Sequence, residues 1–126
     1  MARLVVFAAL VGGFVLSGPA AAQEADFHLT YHVERTPSGQ LSIDACGAAV
    51  VAAAESAGLT AGTQSVAGKL VTVSGGQAGE GAFTVQCIAV EDMTVSVVQG
   101  IDYRSDKGAL GDFADQAYEA ITNAIE

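Results

Sequence analysis

The sequence predicts an α+β domain: a two-layer sandwich with a four-stranded mixed or antiparallel sheet and two helices on one face, in the order β-α-β-β-β-α. Three observations lead there. Residues 27–35, 82–90 and 93–103 alternate apolar and polar side chains with the period of two that marks a strand. Residues 42–57 and 109–125 repeat apolar side chains at helical spacing. The two cysteines, Cys46 and Cys87, then fall on core faces read independently, one on a helix stripe and one on a strand.

In the first strand, Phe27, Leu29, Tyr31 and Val33 alternate with His28, Thr30, His32 and Glu34, and the apolar set is expected to point inward. Thr36-Pro37-Ser38-Gly39 has turn chemistry. The first helix opens at Ser42, whose hydroxyl suits an N-cap, and closes at Gly58, with Cys46, Val50 and Ala54 on its buried stripe. Thr60–Ser65 reads as a small polar loop, Ala67–Ser74 as a β-rich stretch and Gly75–Gly81 as a hairpin loop. In the next strand Phe83, Val85, Cys87 and Ala89 share the inner face. The last strand is expected to turn Met93, Val95, Val97 and Ile101 to one side, and Leu110, Phe113, Ala117 and Ile121 form the stripe of the closing helix.

Residues 1–22 read as a cleaved signal peptide, and residues 23–126 as a single exported domain. Arg3 supplies the charge, Leu4–Leu16 is an uncharged apolar run, and Ala20-Ala21-Ala22 offers small residues for cleavage after Ala22. A 13-residue run rises about 20 Å as a helix, short of a membrane's ~30 Å apolar core. The destination is the periplasm or the medium. There Cys46 and Cys87 are expected to form a structural bridge, because oxidising compartments preserve disulfides and redox pairs usually sit close in sequence.

The 126 residues carry 14 Asp and Glu against 5 Lys and Arg, a net charge of −9. That balance excludes proteins that work mainly by gripping nucleic acid or an anionic membrane, since both need a basic footprint. No catalytic set emerges, and no cofactor or metal is expected. His28 and His32 lie about 13 Å apart along a strand, too far to share a metal ion. Gly62–Lys69 resembles a phosphate loop but has the wrong glycine spacing and lacks the hydroxyl after the lysine. Asp102, Asp106 and Gly108 lack calcium-loop spacing, and Asp112, Asp115 and Glu119 read as a solvated helix face.

The uncovered sheet face is the remaining candidate. With the cysteine face inward, Gln86, Ile88, Val90 and Val98 are expected to point outward, joined by His28 and His32. Ile88, Val90 and Val98 would form an apolar centre, with His28, His32 and Gln86 toward its rim. A mixed surface of this kind suggests a non-enzymatic protein that binds a protein partner or forms a homodimer. The alternative is a carrier for a small molecule or metal.

Overall fold

The computed structural model describes residues 26–126 and the isolated Gly13. The signal peptide and its cleavage site therefore lie outside the described residues. The elements are β1 (His28–Pro37), α1 (Ile43–Ser56), β2 (Thr60–Val66), β3 (Leu70–Gln77), β4 (Gly81–Val90), β5 (Met93–Asp102) and α2 (Ala109–Asn123). The sheet has five strands in the order β1-β5-β4-β3-β2, every neighbouring pair antiparallel. The α+β class holds, with one strand more than the expected four. Strands β2 to β5 form a meander, α1 crosses from one sheet edge to the other, and α2 returns over β5 and β1.

The additional strand is β2, whose Thr-Ala-Gly-Thr-Gln-Ser-Val carries no apolar alternation. It is an edge strand, and all but Ala61 is exposed, so its side chains have no core to signal. What holds it is the backbone ladder to β3, from Thr60 opposite Gly76 to Val66 opposite Leu70. The hairpin between β3 and β4 correspondingly shortens to Ala78-Gly79-Glu80, with Gly79 in the left-handed region at φ 76°.

The first helix starts as its sequence implies: the Ser42 hydroxyl accepts from the Ala45 N–H at 3.0 Å. Cys46, Val50 and Ala54 are fully buried on its inner stripe. Cys46 bridges to Cys87 on β4 across 41 residues, tying α1 to the middle strand of the sheet. The helices lie very close to the sheet because small residues meet there. A Cβ at Gly100 of β5 would overlap the Leu110 carbonyl of α2, and one at Gly47 of α1 would overlap Val71 of β3. Phe83 and Phe113 fill the space between β4 and α2, their ring centroids 4.5 Å apart.

The second helix has an N-cap without a side chain, Gly108. Asp102 at the end of β5 replaces it. Its carboxylate accepts from the N–H groups of Gly108 at 2.8 Å and of Leu110 and Gly111 at 2.9 Å, while only 1% exposed. Burial by itself raises this carboxyl's pKa, but the three backbone donors, together with the nearby His28, outweigh it and hold the pKa below the ordinary carboxylate value. Asp102→Asn is expected to cost about 2–3 kcal/mol at neutral pH, because an amide offers one acceptor oxygen where three donors converge. A carboxylate with a lowered folded pKa contributes fully above its unfolded value and loses that contribution as pH falls through the folded value. Urea denaturation at neutral pH and near pH ~2 should therefore show parent and variant converging in acid. A gap that stays constant would mean that ionisation of Asp102 contributes nothing.

Candidate functional site: the uncovered sheet face

Both helices pack on one side of the sheet, which leaves the other side bare among the described residues. The pairing register fixes which residues share each side. Cys87 faces Ser96, Val85 faces Val98, and Val98 faces His32, so all of these point toward the helices. On the opposite side lie Gln86, Ile88 and Val90 of β4, as expected from the sequence.

Val98, His28 and His32 are placed differently from the expectation. Val98 is 1% exposed in the core, and both histidines are on the helix-covered face. The parity of β1 and β5 is thus reversed. The residues that take their places on the bare face are the apolar ones assumed to be inside. Leu29, Tyr31 and Val33 of β1 stand beside Ile101, Gln99 and Val97 of β5. Val95 stands between Arg35 and Ile88, and Met93 between Pro37 and Val90. Leu70 and Val66 extend the surface across β3 and β2. Tyr31 is 65% exposed and Val33 52%. Fold-level burial leaves these large side chains partly in water, where covering the exposed half of each is worth about 1 kcal/mol.

The physical reason for the reversal lies on the covered face. Several of its polar residues have partners that only the tertiary structure supplies. Thr94 donates to the Leu41 carbonyl at 2.6 Å, and the Ser96 hydroxyl lies 3.3 Å from the Cys46 sulfur. Between β1 and α2, His32 Nε2 stands 2.8 Å from Asp115 Oδ1 and its ring stacks on Tyr118 with centroids 4.3 Å apart. The Tyr118 hydroxyl donates to Glu34 at 3.0 Å, which raises the phenol's pKa, and Lys107 donates to the other Asp115 oxygen. Asp115 is held below the ordinary carboxylate value first by its hydrogen bond from Lys107 and then by the one to His32. It is therefore part of a packed polar seam, unlike the exposed Asp112 and Glu119 with which the helix pattern grouped it. His28 Nδ1, Thr30 Oγ1 and Thr36 Oγ1 are buried without a hydrogen-bond partner.

The bare face is also electrically distinctive. Among the described residues, no Asp or Glu occupies an outward position on any of the five strands, and the one formal charge on it is Arg35. The carboxylates sit on the helices, in the turns or on the covered face, for example Asp44, Glu55, Glu80, Glu91 and Asp112. No group of three or more His, Cys, Asp and Glu side chains among the described residues is arranged to hold a metal ion. An open groove of about 430 Å³ runs between α1 and the sheet at β2 and β3, lined by residues such as Asp44, Val51, Glu55 and Thr63.

These features define a class: a two-layer α+β domain, internally cross-linked, with one sheet face left bare and apolar. The chain belongs to the family of unknown function DUF6180, whose pattern matches residues 26–126. No curated protein matches it.

Proposed function

We propose that this is an exported, non-catalytic binding module that works by applying its bare sheet face to another protein surface. The observation that carries this is the band of apolar side chains that runs from Leu29, Tyr31 and Val33 on β1 through Val97, Val95, Ile88 and Leu70 to Val66 on β2, bordered by Gln86, Thr84, Thr72 and Ser74 and without a carboxylate on it, in a chain with a net charge of −9. Monomeric proteins rarely leave an apolar surface of more than a few hundred Å² uncovered. The Cys46–Cys87 bridge supports the exported reading, since structural disulfides persist in oxidising compartments, and the 1–22 segment has the composition of a secretion signal. The carrier reading has less to stand on, because the groove beside α1 is open and brings together no cluster of metal-ligating side chains.

Hydroxyl-radical footprinting tests the docking reading. Tyr31 and Met93 lie on the bare face, whereas Tyr118 lies in the seam between β1 and α2. In the intact envelope of the host, Tyr31 and Met93 are expected to be protected relative to dilute purified protein, with Tyr118 unchanged. Equal labelling of Tyr31 and Met93 in both settings would remove the docking reading.

A further inference from the structure

Resting on that reading, we infer that the occupant of the bare face is a second copy of this chain, packed sheet on sheet about a two-fold axis.

The first support is area. Five strands about 4.8 Å apart, up to ten residues long at about 3.4 Å per residue, present on the order of 700 Å² of sheet face. Two such faces pressed together remove about 1,400 Å², the size of a standard stable interface. A two-fold axis brings the same patch of both copies together, so the surface has only to be complementary to itself. Sheets in sandwiches pack in this manner, about 10 Å apart and with strands turned by about 30°.

The second support is charge. Two copies of so acidic a chain repel, so a self-association surface has to keep their carboxylates apart. This face does so. It carries no carboxylate, the acidic residues of α1 and α2 lie on the far side of each sheet, and Glu80, Glu91, Asp92 and Asp106 are confined to the turns at its ends. With two sheets and both helix layers stacked, the helix carboxylates of the two copies stand more than ~20 Å apart, beyond two Debye lengths at physiological salt. A basic partner would instead be drawn to the acidic helix side, and an anionic partner has only one cation, Arg35, to meet on this face. A surface of matching extent, with one cation and no carboxylate, is what the same face of a second copy provides.

The test is sedimentation velocity on the protein as its host processes it, purified with the disulfide intact, across about 0.1–100 μM. A dimer with a Kd in the low micromolar range or tighter is expected. Val97→Glu puts a carboxylate at the middle of the face, between Val33 and Gln86, and is expected to weaken the dimer at least a hundredfold with unchanged circular dichroism. Tyr31→Glu, at the most exposed of these positions, is expected to do the same and covers the case in which Val97→Glu misfolds. A dimer that tolerates both substitutions would overturn the inference and point to pairing along the free β1 or β2 edge. A parent monomeric at ~100 μM, with Tyr31 and Met93 still protected in the envelope, would overturn self-association and leave the docking reading standing with another protein as occupant. A monomer with those residues unprotected would overturn both.

Discussion

Val98→Asp is expected to unfold the domain, while Val97→Glu leaves the fold of each protomer intact. The two positions are neighbours on β5 and differ only in the side of the sheet they face. Val98 is 1% exposed, flanked by Val85 and His32 beneath the helices. An aspartate there either buries an unpaired charge or takes up a proton at neutral pH, and it also removes a well-packed side chain. Losses of this kind exceed about 4 kcal/mol, a large part of the ~5–15 kcal/mol that holds a domain together and most of it for a small one near the lower end. Val97 faces the bare side, where a carboxylate keeps its water in the monomer, and the expected change is within about 1 kcal/mol. Urea denaturation followed by circular dichroism, at a concentration where both variants are monomeric, separates the two outcomes. A folded Val98→Asp beside an unfolded Val97→Glu would mean that the sheet is covered on its other side.

Loss of the Cys46–Cys87 bridge is the second large effect. The bridge closes a loop of 41 residues, for which chain entropy in the unfolded state gives about 4 kcal/mol. Both sulfurs are completely buried, and the bridge is the covalent link between the helix layer and the sheet. The double variant Cys46→Ser, Cys87→Ser avoids a stray thiol and adds two hydroxyls to an apolar interior, which increases the loss. For a folded unit of about 100 residues, the melting temperature should fall by roughly 15–30 °C. Calorimetry of the parent with and without reductant gives an independent comparison. Identical melting of oxidised parent and double variant would show that the bridge adds nothing to stability.

Most of the architecture is legible from residue order. Ser42, Cys46, Val50 and Ala54 announce α1, and Leu110, Phe113, Ala117 and Ile121 announce α2. Phe83, Val85 and Cys87 identify the inner side of β4. The edge strand β2 is not legible, because a strand exposed nearly throughout and held by backbone hydrogen bonds leaves no side-chain pattern. Nor is the capping role of Asp102, six residues before the helix N–H of Gly108 that it receives. Its signal is weak but present: an acidic residue shortly ahead of a helix that begins on glycine.

The candidate site was half legible. Gln86, Ile88 and Val90 follow from Cys87 by alternation alone, since a bridge to a buried helix stripe sets the parity of β4. For β1 and β5, alternation separates two sets of side chains and leaves open which set is inside. Assigning the more apolar set to the core assumes that the protein buries what it can by itself. Here α2 brings Asp115 and Tyr118 to the polar side of β1, so His32 and Glu34 have partners under the helix. Gly100 and Ser96 let the helix layer approach β5 more closely than Val95 and Val97 would allow. By itself the sequence determined the α+β class, both helices, the bridge and the parity of the strand that carries it, because each is written in local periodicity or in one covalent pair. The tertiary structure alone decided which side of β1 and β5 the helices cover, because that choice depends on side chains distant in sequence, 83 and 84 residues away for β1 and 50 and 53 for Ser96 and Thr94 of β5, and it placed Leu29, Tyr31, Val33, Val95 and Val97 on the outside.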